Sequence, residues 1–296
     1  MYVPSGIAVA MVTPMTESGE IDKPQLRSLV NRYIEAGLHA LFPLGSSGEF
    51  FALSREEKET VAQIVIEETQ NRVPVWIGSG GVTTRETVSF TKRAEEMGAD
   101  AVSVITPFFL SPNEEELYHH YQKVAEATSL PIVIYNIPGR TGISLDPETL
   151  SKLSEIENIV GIKDSSGDFT NILSYIRKTG EDFAVLSGTD SLVYWTLQAG
   201  GKGGVCGLAN IYPNILVSTY ECWKEGNFQE AKKWQEKIEP IREAMGLDTF
   251  PSVLKAAMEL EGYPVGPPRE PISPISEEAE EKLKDILQFY ERSVNC

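Results

Sequence analysis

The stretch Ile159-Val160-Gly161-Ile162 runs without a polar side chain into Lys163-Asp164-Ser165-Ser166-Gly167-Asp168, and from there through Phe169 to Arg177 to Ala184-Val185-Leu186. A short, continuous apolar run is what a parallel strand covered on both faces requires, because neither side of it meets water. The segment between the two runs has aliphatic residues at helical spacing and charges opposite them. Strand, helix, strand is therefore the unit.

The same unit repeats in both directions. Apolar runs of strand length lie at Ile7 to Val12, Ala40 to Leu44, Val75 to Ile77, Ala101 to Ile105, Ile132 to Tyr135, Ile159 to Ile162, Ala184 to Leu186 and Gly204 to Cys206, eight in all. The spacing predicts helices over Pro24 to Glu35, Ser54 to Thr69, Thr84 to Met97, Asn113 to Ala127, Pro147 to Leu153, Phe169 to Arg177, Ser191 to Gln198 and Asn214 to Lys224. Ser54 with Glu57 has the pattern of a capping box, and Asp146 precedes a proline at the first helical position. Gly37, Gly98 and Gly200 follow helices, where a residue of positive φ ends the last turn. Eight such units close most naturally into a barrel with the helices outside, so the predicted fold is α/β, a (β/α)8 TIM barrel. A doubly wound open sheet would place a glycine-rich nucleotide fingerprint after its first strand, and none follows Ile7 to Val12.

Beyond the eighth unit, Phe228 to Met245, Ser252 to Leu260 and Glu277 to Ser293 read as helices, with a proline-rich connector over Gly262 to Pro274. The expected division is residues 1–225 as barrel and 226–296 as a C-terminal helical extension packed on it. The 296 residues include 26 basic and 43 acidic side chains, a net charge of −17. That sign repels phosphate backbones and anionic lipid, so neither nucleic acid nor a membrane is an expected partner. No window approaches the roughly 20 apolar residues of a membrane span, and the first residues lack the basic region of a signal peptide. A cytoplasmic location is expected. Cys206, Cys222 and Cys296 are far apart and odd in number, which reads as three reduced thiols rather than a disulfide framework or zinc site.

In a strand-helix barrel the chemistry sits where strands end. The second ends in Gly45-Ser46-Ser47-Gly48-Glu49, the fifth in Tyr135-Asn136-Ile137-Pro138-Gly139-Arg140-Thr141-Gly142, and the sixth in Lys163 to Asp168. A lysine on the barrel wall is partly desolvated, which favours the neutral amine that attacks a carbonyl. Lys163 is either that nucleophile or a structural cation paired with Asp164 or Glu49. Tyr135 can carry protons for the amine or simply pack. Ser46 and Ser47 form a carboxylate cradle or a plain turn. Gly78-Ser79-Gly80-Gly81 reads as a strand-end turn rather than a phosphate loop, and His119 with His120 as packing rather than a zinc pair.

These motifs, with Ala8-Met11-Val12-Thr13-Pro14 and Leu186-Ser187-Gly188, resemble the dihydrodipicolinate synthase and N-acetylneuraminate lyase family over nearly the whole chain. The resemblance implies a pyruvate-dependent lyase, usually a homotetramer, with Lys163 as the Schiff-base lysine and Tyr135 as proton carrier. It also implies that Ser46 and Ser47 hold the pyruvate carboxylate, Ser46 linking to Tyr135, and that Gly188 and the backbone of Val205 line the pocket. No metal or organic cofactor is implied, since the protonated imine is the electron sink.

The second substrate is an aldehyde. Arg140 matches the arginine with which the synthases of this family grip aspartate semialdehyde. Against that, they carry Thr-Thr where this chain has Ser46-Ser47, and a tyrosine from a neighbouring subunit where it has Phe109. Gly48-Glu49-Phe50, Lys163 to Asp168 and Gly204 to Asn210 look more like the 4-hydroxy-2-oxoglutarate and 2-keto-3-deoxy acid aldolases, which becomes the leading expectation. Asp190 stands where sugar-acid lyases hold substrate hydroxyls, or it caps the following helix. The synthase reaction, a sugar-acid dehydratase and a non-catalytic 2-oxo acid sensor are the competing readings.

Overall fold

The computed structural model describes residues 2–294, and Cys296 lies outside them. Eight parallel strands, β1 Gly6–Ala10, β2 Ala40–Phe42, β3 Trp76–Gly78, β4 Ala101–Ile105, β5 Ile132–Asn136, β6 Ile159–Asp164, β7 Ala184–Ser187 and β8 Gly203–Cys206, form one sheet in the order β2-β1-β8-β7-β6-β5-β4-β3. The two ends meet at a parallel bridge between Leu41 and Val75, and the Gly78 amide donates to the Pro43 carbonyl at 3.2 Å. The sheet is thus a barrel. Almost every strand residue is buried, as the continuous apolar runs require.

Around it run α1 Lys23–Glu35, α2 Arg55–Thr69, α3 Thr84–Met97, α4 Glu114–Ala125, the single turn α5 Pro138–Thr141, α6 Pro147–Leu153, α7 Phe169–Lys178, α8 Val193–Gln198 and α9 Pro213–Lys224. The start signals work as the sequence predicts. Ser54 and Glu57 form a reciprocal capping box, and the Asp146 carboxylate accepts from the amides of Glu148 and Thr149. Gly37, Gly98 and Gly200 all have positive φ.

The C-terminal part departs from expectation in one respect. The predicted helix over Phe228 to Met245 is two, α10 Phe228–Glu236 and α11 Glu239–Ala244. Pro240 cannot donate to a preceding turn, so the chain breaks and restarts with the proline in the first turn of α11. Two further helices follow, α12 Ser252–Leu260 and α13 Glu277–Val294. No helix among the described residues is long and apolar enough to cross a membrane.

Candidate functional site

The register of β5 on β6 brings the two principal candidates together. Tyr135 is the direct ladder partner of Lys163, so both side chains point to the same face of the sheet. Lys163 is 4% exposed, and its Nζ lies 3.9 Å from the centre of the Tyr135 ring and 4.9 Å from that of Phe42. The aromatic faces give a cation some stabilisation. No carboxylate of the described residues is within ion-pair distance of this nitrogen.

The two acids offered by the sequence as partners for Lys163 are engaged elsewhere. Asp164 follows on the strand and so faces the other way; its Oδ1 accepts from Asn136 Nδ2 at 2.7 Å and its Oδ2 from the Ser166 hydroxyl at 2.5 Å. Burial raises the Asp164 pKa, and the hydrogen bonds from Ser166 and Asn136 oppose the shift. Glu49 pairs instead with Lys255 of α12, Oε1 to Nζ at 2.6 Å, both side chains almost wholly buried. The contact is angled away from a directional hydrogen bond. Its other oxygen accepts from the Arg269 amide at 2.7 Å, and Lys255 also donates to the Pro267 carbonyl at 2.9 Å.

Ser46 and Ser47 stand on a tight turn after β2. The Gly48 amide donates to the Gly45 carbonyl and the Glu49 amide to that of Ser46, and Glu49 itself takes a left-handed backbone, φ 55°. Ser46 Oγ is 3.3 Å from Tyr135 Oη, a pair in which either hydroxyl can donate. Lysine amine, phenol and serine therefore stand in sequence. Gly188 passes so close to the lysine stem that an added Cβ would sit 2.9 Å from Lys163 Cε and closer still to Ser165 Oγ. Only glycine leaves the amine its place.

These residues line a cavity of about 470 Å³ at the C-terminal ends of the strands, together with Val205, Arg140 and Asp190. Arg140 is largely exposed, with its guanidinium carbon 4.8 Å from the centre of the Phe250 ring. Asp190 is not the cap of α8. It lies within a 3-10 turn, Asp190–Leu192, and its buried carboxylate accepts from the Leu208 amide at 3.0 Å, tying the loop after β7 to the loop after β8. Burial pushes its pKa up, with the Leu208 hydrogen bond and the charge of Arg242 opposing.

Ser165 and Leu208 line the cavity from motifs the sequence singles out, whereas Thr189 from the loop after β7, and Arg242, Met245, Phe250 and Leu254 from the C-terminal part, were not among its candidate site residues. Asn210 serves as a tie between loops, its Nδ2 donating to the carbonyls of Ala10 and Gly207 and its Oδ1 accepting from Val12 and Tyr33. His120 is buried, as a packing residue is, with Nδ1 2.9 Å from the Thr84 hydroxyl and away from the cavity lining. Ser79 Oγ lies 2.9 Å from Thr91 Oγ1, and the Gly81 amide donates to Thr87 Oγ1, as befits a strand-end turn. Cys206 and Cys222 are free thiols, and burial raises the Cys206 pKa well above its ordinary value. No cluster of metal-binding side chains occurs among the described residues.

Known proteins resemble the chain along almost its whole length. The 4-hydroxy-tetrahydrodipicolinate synthase of Methanopyrus kandleri is 39% identical over 285 residues, covering 96% of this chain and 95% of the relative. Among solved structures, the dihydrodipicolinate synthase of Thermotoga maritima superposes with a TM-score of 0.95 at 34% identity, covering 98% of this chain and 99% of that one. A prophage protein of E. coli K12 from the dihydrodipicolinic acid synthase family, solved in complex with pyruvate, gives a TM-score of 0.94 at 34% identity, with 97% and 98% covered. The family model described as dihydrodipicolinate synthetase matches residues 3–290, and the chain belongs to that family of class I, Schiff-base lyases.

Proposed function

We propose that the protein condenses pyruvate with aspartate semialdehyde, the 4-hydroxy-tetrahydrodipicolinate synthase reaction, through an imine on Lys163. The observation that carries the imine step is the pairing of Lys163 with Tyr135 across β5 and β6, beside the serine turn and without a carboxylate to hold the amine. In that reading Nζ attacks the C2 carbonyl of pyruvate, water leaves, and the iminium acidifies C3, whose proton passes to the Tyr135 oxygen in its deprotonated form as the C–H electron pair moves in to give an enamine. The enamine carbon then attacks the aldehyde carbon. Tyr135 and Ser46 move the protons of carbinolamine formation and collapse. The pyruvate carboxylate lies against Ser46 and Ser47, while Gly188 and Val205 shape the wall and Arg140 takes the acceptor's carboxylate.

The curated relative of Methanopyrus kandleri is named for this condensation, which supports it over the 4-hydroxy-2-oxo acid aldolase that the motifs alone put first. One observation favours the aldolase as a second reading. Phe109, which carries no hydroxyl, stands 90% exposed on a left-handed backbone, φ 81°, at the position where the family's synthases present a tyrosine. Borohydride reduction with pyruvate, followed by peptide mapping, should place a pyruvyl adduct on Lys163. Condensation with aspartate semialdehyde assayed beside cleavage of 4-hydroxy-2-oxoglutarate then separates the two readings: faster cleavage than condensation overturns the synthase assignment.

A further inference from the structure

Arg242 belongs to α11, outside the eight strand-helix units, yet its side chain lines the same cavity as Lys163, Ser46 and Arg140. It is partly buried, and no carboxylate of the described residues approaches it within ion-pair distance. Its charge is felt by Asp190, whose carboxylate already accepts from the Leu208 amide. A chain with 43 acidic side chains against 26 basic ones has thus placed three basic side chains, Lys163, Arg140 and Arg242, around one cavity in which Asp190 is the only acidic lining residue among those described. Such a concentration of positive charge against a negative whole focuses the field on an anion.

Lys163 is committed to the imine, and the turn at Ser46 and Ser47 accounts for the carboxylate of pyruvate. Two guanidinium groups remain. Arg140 comes from the single turn α5 after β5 and rests against Phe250, while Arg242 comes from the helix just before that phenylalanine. The joint between α11 and α12 therefore places one arginine and props the other. Resting on the imine reading above, we propose that Arg242 is a specificity-determining residue, which with Arg140 selects an acceptor aldehyde bearing a carboxylate.

A planar guanidinium recognises a carboxylate through two parallel hydrogen bonds, and a lysine at the same place keeps charge but loses the fork. In the full-length protein, Arg242→Gln should raise the KM for aspartate semialdehyde or glyoxylate at least tenfold. The KM for pyruvate should stay within twofold, and borohydride trapping on Lys163 should be unchanged. Arg242→Lys should recover part of the loss. Wild type should prefer succinic semialdehyde over butanal, and Arg242→Gln should shrink that preference by a similar factor.

If Arg242 merely balances the charge of Asp190, its loss will raise both KM values together or slow both aldehydes alike, and the inference falls. It falls too if wild type shows no preference for the charged aldehyde, or turns over no carboxylate-bearing aldehyde while the pyruvate adduct still forms; the imine reading then stands. Absence of the adduct in wild type overturns the imine reading and takes this inference with it.

Discussion

Two buried lysines divide the molecule between them. Lys255, at the seam where α12 meets the turn after β2, is 1% exposed and faces Glu49 at 2.6 Å. Lys163, at the mouth of the barrel, is nearly as buried but has aromatic rings rather than a carboxylate beside it. At Lys255 desolvation lowers the pKa while Glu49 opposes the fall. The comparison teaches how two equally buried lysines differ: burial is shared, and the partner sets one in an ion pair and leaves the other, the proposed nucleophile, without one. Glu49, adjacent in sequence to the serine turn, serves the seam.

The sharpest break would come from exchanging the two roles. Lys163→Ala should abolish the pyruvate adduct and cut turnover by about 10³-fold or more, as loss of a covalent nucleophile does, whereas Lys255→Met should leave the adduct intact by mass spectrometry. An adduct that survives Lys163→Ala would reverse the assignment. Tyr135→Phe keeps the ring against the amine and removes only the hydroxyl. It should slow turnover by roughly 10²- to 10⁴-fold while sparing the melting temperature.

At the seam the effect is on stability. Lys255→Met or Glu49→Gln alone should cost about 3–5 kcal/mol, because each leaves its partner buried without a counter-charge. The double substitution should recover much of that in urea unfolding. A double-variant loss equal to the sum of the two single losses would show that the pair is not coupled.

A third buried base shows another way to be accommodated. Burial lowers the His120 pKa to about 4, so the folded state holds it neutral. Between pH 6.5 and 4 the unfolded chain binds a proton that the fold refuses, so stability is full above that window and declines as pH falls through it, by at most about 3 kcal/mol. Melting temperatures at pH 7 and 4.5 should show a steeper decline in wild type than in His120→Gln.

The barrel was legible in the sequence because parallel strands buried on both faces carry their signal locally, in unbroken apolar runs such as Ile159 to Ile162. Element ends were legible where a side chain closes them, as at Ser54 and Asp146. The site was legible where motif and strand end coincide, at Lys163, Tyr135 and the serine turn. Arg242, Phe250 and Leu254 were not, because their reach into the cavity depends on how the last helices dock, a long-range matter that no local pattern records. Asp190 misled for a related reason. A carboxylate ahead of a helix looks like a cap, but the amide it meets, Leu208, lies eighteen residues further on, across the neighbouring strand.

The ladder that pairs Tyr135 with Lys163 also insulates the proposed imine chemistry from drift in the loops. Insertions at the rim leave the spacing of amine and phenol untouched, because backbone bonds between adjacent strands set it. A single residue deleted within β6 ahead of the lysine is a different matter. By shifting alternation one step it would turn Asp164 inward where the amine stood, and a chain that still closed its barrel would have lost its chemistry.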